Sequence, residues 1–196
     1  MRPAGGASWM PHLRDRWIVG LTAGRLVIAL ILLVVPTLVP IPGSDRVQPI
    51  AIFVPIAVAV PAALSLRERL AWLGTGVAAR RLGILRMSTS FVADAVVLGT
   101  CSVLADVVSA PGVSLSAAVA CAAAVEGVAY LTAVASVRFA WLVAATLGAI
   151  ALLGLPPSGI PLAFSMPTWL GASVFVLGFV AYGLLSLRRI VVADPG

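Results

Sequence analysis

Residues 66–87 read LRERLAWLGTGVAARRLGILRM, and this arginine-rich stretch divides the chain. It carries five of the 13 basic residues of a chain of 196 residues. Long apolar sequences lie on both sides of it. Because a charged segment of this length is not accommodated in hydrocarbon, we expect it to lie in water or at a membrane surface. The arginine-rich stretch is therefore the predicted contact site for any soluble partner.

The composition is typical of an integral membrane protein. Hydrophobic residues make up 61% of the chain and charged residues 10%, with a mean hydropathy of +1.13. Soluble domains carry about 25% charged residues, and a domain so poor in charge could not cover its own surface. The net charge of +6 does not indicate nucleic-acid binding, because the arginines lie between apolar runs and do not form one patch.

Six apolar runs predict an all-α integral membrane fold that forms a single membrane domain, residues 1–196. The predicted transmembrane helices are 18–39, 49–66, 90–108, 114–134, 139–155 and 169–187. About 20 apolar residues in a helix cross the ~30 Å of hydrocarbon in a bilayer, and each run is close to that length.

Two further helices are predicted at the membrane surface. Residues 9–17 mix Trp9 and Trp17 with Arg14 and Arg16, which is typical of an N-terminal interfacial helix that leads into the first span. The second is a cytoplasmic amphipathic helix within the arginine-rich stretch, between spans two and three. Its leucines and arginines suit either a groove on a soluble partner or an anionic lipid surface.

The arginines also predict the orientation of the chain. With six spans, the two termini, the arginine-rich stretch and Arg138 lie on one side, and together they hold eleven of the 13 arginines. The opposite loops hold only Arg46, and Arg25 lies within a span. Since cytoplasmic loops are enriched in arginine and lysine, we expect a multi-pass protein with both termini in the cytoplasm. A composition without lysine, dominated by Ala, Val, Leu and Gly, suggests the inner membrane of a bacterium.

Four ionisable residues fall within the predicted spans: Arg25, Asp94, Asp106 and Glu126. Such residues are costly in a bilayer, and they mark pathways or contacts between helices. We expect Arg25 to reach the headgroups or to pair with an acid on another helix, and Asp94 to lie within reach of Arg25 or Arg86. Asp106 lies near the outer end of its span, where it reaches water. Glu126 is the deepest, and it serves either as an interhelical hydrogen-bonding group or as a residue of a transport pathway.

The sequence predicts neither catalytic residues nor metal ligands. One histidine is too few for a cluster of histidine ligands. Without lysine there is no Walker A motif, so we expect no ATP hydrolysis by this chain. The Gly-x-Ser-x-Gly pattern of serine hydrolases is absent. Cys101 and Cys121 are predicted to be buried apolar side chains, and a disulfide between them would depend on how the helices pack.

The order of residues in the arginine-rich stretch resembles a known membrane family. An acid and an arginine precede an aromatic residue, a Leu-Gly pair and paired arginines, as Glu68-Arg69, Trp72, Leu73-Gly74 and Arg80-Arg81-Leu82. This order resembles the cytoplasmic segment between the second and third spans of ABC-2-type permeases, the membrane subunits of ATP-binding-cassette exporters. The interfacial helix, the six spans and the cytoplasmic ends are similar as well.

The resemblance implies a membrane subunit without a cofactor of its own, driven by a cytoplasmic ATPase subunit that binds ATP and Mg. The residues implied in coupling to that ATPase are Glu68, Arg69, Trp72, Arg80 and Arg81. A second permease copy or a sister permease would complete the transporter in the lipid bilayer, and no nucleic acid is expected. Two alternatives stay open. One is a non-transport accessory or assembly subunit of a larger membrane complex, and the other is a small membrane enzyme that uses Asp94, Asp106 or Glu126.

Overall fold

The computed structural model describes residues 10–40, 47–70, 77–109, 114–153 and 161–192. Within these ranges the chain is predominantly helical, as predicted. The six α-helices are α1 Met10–Val34, α2 Val54–Leu70, α3 Val77–Val108, α4 Leu115–Ala135, α5 Val137–Leu153 and α6 Thr168–Val192. Short 3-10 helices, Ile50–Phe53 and Leu162–Phe164, precede α2 and α6.

Helix α1 contains both the predicted interfacial segment and the start of the first span. The two form one continuous helix, Met10–Val34, so the interfacial segment leads directly into the apolar one. Trp17, Arg14 and Arg16 belong to the first turns of this helix.

A short hairpin follows α1 and was not predicted. The first span was expected to continue to residue 39, but Pro36 disfavours the helical conformation in the residue before it, and α1 ends at Val34. Leu38–Pro40 (β1) then pairs with Val47–Pro49 (β2) as antiparallel strands. This hairpin connects the end of α1 to the 3-10 helix that precedes α2.

Two long helices extend into the arginine-rich stretch, one from each side. Helix α2 continues to Leu70, and α3 already begins at Val77. Residues 71–76 lie outside the described part. The charged residues on either side of residues 71–76 therefore belong to the ends of α2 and α3, and the cytoplasmic amphipathic helix between spans two and three stays a prediction.

Helix α4 forms the centre of the bundle. Of its 21 residues, 15 are buried, and most of these are alanines, which let the neighbouring helices approach closely. The side chain of Ser114 caps its start by accepting a hydrogen bond from the backbone N–H of Ala117. An N-cap of this kind satisfies one of the N–H groups that the first turn leaves without a helical partner.

Helices α4 and α6 run in the same direction at close range. Gly171 of α6 lies against the backbone of Ala120, and Gly178, two turns further on, lies against Gly127, two turns further along α4. A Cβ atom added at Gly171 would lie 2.7 Å from the carbonyl carbon of Ala120, closer than real Cβ atoms approach. The lack of side chains at these glycines therefore permits the contact between the two backbones.

The described part of the molecule has apolar side chains on its outside. Large apolar side chains that are more than half exposed occur on several helices and include Val19, Val27, Val92, Val103 and Leu177. Monomeric soluble proteins rarely expose large apolar patches, and an exterior with this many exposed apolar side chains fits contact with lipid or with other chains. The buried residues, in contrast, include an arginine and two acids, which is the reverse of a soluble protein.

Three described helical segments are long and apolar enough to cross a membrane: Met87–Val108, Leu115–Ala135 and Thr168–Leu185. They coincide closely with the predicted third, fourth and sixth spans. The first, second and fifth spans fall on the shorter apolar segments Val19–Val34, Ile50–Leu66 and Val137–Leu153. Membrane crossing by these three shorter segments stays a prediction.

Candidate functional site

Three ionisable side chains meet inside the bundle. Arg25 of α1 donates a hydrogen bond from Nη1 to Oδ1 of Asp94 on α3 at 2.5 Å, and another from Nη2 to Oε2 of Glu126 on α4 at 3.0 Å. Arg25 is 2% exposed, Asp94 0% and Glu126 1%. Of the two expectations for Arg25, the structure therefore shows pairing with acids of other helices, and the side chain does not extend to a membrane surface.

The depth of this cluster follows from the helices that carry it. Asp94 lies two turns inside the apolar segment Met87–Val108 of α3, and Glu126 lies near the middle of α4. Arg25 lies within the apolar segment Val19–Val34 of α1. Each residue is thus held by a regular helix and surrounded by apolar sequence, which leaves the three charged groups to satisfy one another.

Tyr130 completes the cluster, and sequence reasoning missed it. Its hydroxyl group donates a hydrogen bond to Oδ2 of Asp94 at 2.5 Å, and the residue is 1% exposed. Glu126 and Tyr130 are four residues apart on α4, so they share one helix face. That spacing could have pointed to Tyr130 from the sequence, because a tyrosine one turn from a buried acid is placed to donate a hydrogen bond to the same polar cluster.

Aromatic rings cover the cluster on the side of α6. The ring of Tyr130 lies 5.6 Å from that of Phe179 and 5.5 Å from that of Tyr182, between ring centroids. Phe91 of α3 stacks on Phe179 at 4.2 Å and on Phe175 at 5.6 Å. These rings pack α3, α4 and α6 together and exclude water from the charged groups, which strengthens their mutual attraction.

The arrangement has a mechanical consequence. Arg25 is the cation that joins α1 to both α3 and α4, since its two terminal nitrogens bind acids of different helices. Removal of one partner from a buried charged pair leaves an uncompensated charge, at a cost of about 3–5 kcal/mol. The cluster therefore fixes the relative positions of three helices, and α1 cannot move away from α3 unless the pairs break.

The remaining predicted residues do not join this cluster. Asp106 is exposed near the end of α3, as its position in the sequence suggested. Cys101 and Cys121 are buried and not joined by a disulfide. Among the described residues, no group of three or more histidine, cysteine, aspartate and glutamate side chains is placed to hold a metal ion.

The residues implied in coupling are placed only by their helices. Glu68 and Arg69 belong to the last turn of α2, and Arg80 and Arg81 belong to the first turns of α3. The structure does not describe the side chains of these four residues, and Trp72 lies outside the described residues. The structure therefore does not test the predicted coupling contacts.

Comparison of the chain with protein family models, with curated proteins and with solved structures found no match. What the fold and the cluster define is a class of protein, a predominantly helical bundle with an apolar exterior, a charged interior and at least three helices able to cross a membrane.

Proposed function

We propose that this chain is the membrane-spanning permease subunit of a bacterial ATP-driven exporter that resembles the ABC-2 type. In this proposal six helices cross the inner membrane and both termini lie in the cytoplasm. A separate ATPase subunit binds ATP and Mg and docks on the arginine-rich stretch. A second permease copy or a sister permease completes the transporter.

The observation that carries the proposal is the continuity of α3. This helix begins at Val77 within the arginine-rich stretch and passes without a break through Asp94 in the buried cluster. Residues 77–86 precede its apolar segment and amount to about 15 Å of helix. Because a helix is stiff, a partner that displaced the start of α3 would also displace Asp94 relative to Arg25. An element that couples the ATPase to transport has to connect a docking surface with a buried contact that can switch between two arrangements.

A groove at the same end of the bundle adds support for docking there. It has a volume of about 420 Å³ and lies between Ala63 and Leu64 of α2 and Val137, Arg138 and Trp141 of α5. Arg138 and Trp141 are exposed. Arginine and tryptophan are among the side chains that most often anchor protein interfaces. The groove lies beside the point at which α2 continues into the arginine-rich stretch.

The directions of the helices support six crossings. Ile56, near the start of α2, packs against Gly148, near the end of α5. Leu64, further along α2, lines a groove with Val137 at the start of α5, so these two helices run in opposite directions. Helices α4 and α6 run in the same direction. An alternating arrangement of six spans requires both relationships. Helix α5 has 17 residues, or about 25 Å, which is at the short end of what crosses a bilayer.

In this proposal the buried cluster is the contact that the transport cycle breaks and re-forms. Arg25 holds α1 against α3 and α4 in the arrangement described here. Displacement of α3 by the ATPase would separate Arg25 from Asp94 while Glu126 retains its hydrogen bond. A movement of α1 away from α3 would then open a path between them.

The test is association with an ATPase in detergent, where no anionic lipid surface is present. The tagged protein is purified from membranes of its own host, and ATPase co-purification and ATP hydrolysis are measured. Trp72→Ala is compared with Trp169→Ala, its matched control, because Trp169 is 69% exposed at the start of α6, the opposite end in this proposal. We expect Trp72→Ala to weaken association by about 2 kcal/mol, roughly thirtyfold, and Trp169→Ala to have no effect.

Two results would contradict the proposal. The first is that no ATPase associates with the unmutated protein. The second is that Trp72→Ala and Glu68→Ala both leave association and ATP hydrolysis at the level of the Trp169→Ala control. In either case the arginine-rich stretch would be a surface that only contacts lipid.

One observation favours a second candidate function, a non-transport accessory or assembly subunit. All three charged residues of the cluster are at most 2% exposed, so the described arrangement has a sealed interior. A rigid bundle of this kind suits a subunit that packs on a larger membrane complex. Co-purification with membrane proteins in the absence of any ATPase would favour this candidate.

A further inference from the structure

A groove of about 280 Å³ lies between α3 and α6, with α4 as its floor. Val119, Ala120 and Ala123 of α4 are buried at the floor. Gly99 of α3 and Ala172 of α6 line the two sides and are exposed. The groove therefore opens away from α4, between α3 and α6.

The surface around the groove is apolar. On α3, the side chains of Val96 and Val103 are more than half exposed, and on α6 the side chains of Val176 and Leu177 are 47% and 65% exposed. These residues belong to two of the segments that are long and apolar enough to cross a membrane. In a bilayer the groove would thus open directly onto lipid acyl chains.

The groove is polar at one end only. The hydroxyl-bearing residues that line it, Ser102, Ser116 and Thr168, lie near the end of α3 and in the first turns of α4 and α6. Two turns of α6 separate Thr168 from Phe175, which lines the opposite end together with Phe91. The groove is therefore about 10 Å long along α6, from its hydroxyl-bearing end to its aromatic end. Hydroxyl groups at one end and apolar walls beyond them match an acyl chain attached to a polar ester group.

Gly99 leaves free space on the α3 side of the groove. Glycine in the middle of a helix is unfavourable relative to alanine, and such a glycine usually permits a close approach of another backbone. Here a Cβ atom added at Gly99 would meet no atom within 4 Å. The position is thus unlike Gly127, Gly171 and Gly178, where a neighbouring backbone fills the space. What Gly99 leaves vacant is volume within the groove.

We propose that this groove binds one acyl chain of a membrane phospholipid, with the ester region of the lipid at the hydroxyl-bearing end. The chain enters from the end of the bundle at which α4 and α6 begin. This binding goes beyond the transport proposal and does not depend on it, since a lipid can occupy the groove in a permease or in an accessory subunit. A failure to find an ATPase would leave it untouched.

The experiment uses the full chain in vesicles of phosphatidylcholine that contain a phosphatidylglycerol with a photoreactive diazirine in the middle of one acyl chain. After irradiation and digestion with pepsin, mass spectrometry locates the lipid adducts. Gly99→Leu is designed to fill the groove from α3, and Ala172→Leu fills it from α6. Gly20→Leu is the matched control, because a Cβ atom at Gly20 on α1 also meets no atom within 4 Å.

We expect adducts to concentrate on residues 95–102 of α3 and 168–176 of α6. Both groove variants should reduce these adducts about tenfold or more, equivalent to about 1.4 kcal/mol of binding free energy. The Gly20→Leu variant should retain them. The two groove variants fill the groove from opposite sides. A loss of adducts in both variants would therefore identify the groove as the binding site and exclude a local distortion of one helix.

Three results would overturn the proposal. Adducts spread evenly around the apolar exterior would show that the groove holds only bulk lipid. Unchanged adducts in both groove variants would place the bound chain elsewhere. If adducts were absent from the groove and cysteines introduced at Val96 and Val176 cross-linked two copies, a second copy of the chain would be the occupant.

Discussion

At the scale of single residues, Arg25 determines how the interior charges are compensated. Its two terminal nitrogens bind Asp94 and Glu126, and Tyr130 donates to the second oxygen of Asp94. A buried charged pair is often no more stabilising than apolar residues of the same volume, but the loss of one member is costly. The cluster therefore selects one arrangement of helices more than it adds to overall stability.

The first prediction concerns this compensation. Arg25→Met should destabilise the protein by about 3–5 kcal/mol, because two carboxyl groups would remain buried without a cation. The triple variant Arg25→Met, Asp94→Asn, Glu126→Gln carries no charge at the cluster and should recover most of that loss. Thermal unfolding in detergent measures both. Equal destabilisation by the single and the triple variants would contradict the compensation argument.

The second prediction concerns Glu126. Glu126→Gln retains an amide oxygen that can accept from Nη2 of Arg25, so the variant should fold and assemble. If Glu126 takes part in the transport cycle, the same variant should reduce transport. Glu126→Leu removes the acceptor and should impair assembly, because a buried donor left without a partner costs about 1–3 kcal/mol. Yield and transport are measured for both, and wild-type values for both would exclude either role.

At the scale of the elements, the contact between α4 and α6 depends on glycine. Gly171 and Gly178 lie two turns apart on α6, and each faces the backbone of α4. Close contact between helix backbones replaces the hydrophobic driving force that helices lack within lipid. Tyr130 lies on α4 one turn beyond Gly127, so this contact also determines how the aromatic rings of α6 cover the charged cluster.

The third prediction tests the close contact. Gly178→Ala should destabilise the protein by about 1–3 kcal/mol, because the added methyl group would overlap the backbone of Gly127 and force the helices apart. Gly24→Ala is the control, since a Cβ atom at Gly24 meets no atom within 4 Å. There alanine should be neutral or stabilise α1 by up to about 1 kcal/mol. Thermal unfolding measures the change in stability of each variant relative to the unmutated protein. Equal changes in the two variants would argue against the close contact between α4 and α6.

At the scale of the whole molecule, the distribution of charge predicts an orientation. Eleven of the 13 arginines lie in segments that a six-span arrangement places on one side. The structure adds that α4 and α6 run in the same direction while α2 and α5 run in opposite directions. Both relationships fit alternating crossings, and the charge distribution predicts that the arginine-rich stretch lies in the cytoplasm with the two termini.

The fourth prediction tests this orientation. Cysteines placed at Ser44 and Ser158 should react with a membrane-impermeant thiol reagent added outside the cell, and a cysteine at Thr75 should react only after the membrane is opened. Cys101 and Cys121 are buried, and the unsubstituted chain serves as the background control. Labelling of Thr75→Cys from outside the cell would reverse the orientation and remove the arginine-rich stretch from any cytoplasmic partner.

The sequence by itself determined the class of protein, the approximate positions of the helices and the polar residues within them. Those features follow from composition and from the lengths of apolar runs, which are local properties. Only the tertiary structure decided that Arg25 meets Asp94 and Glu126, that Tyr130 joins them, and that α2 and α3 extend into the arginine-rich stretch. Contacts between residues 69 and 101 positions apart depend on how the helices pack. A pattern along one helix indicates which face is polar, but it does not identify the helix that the face will meet.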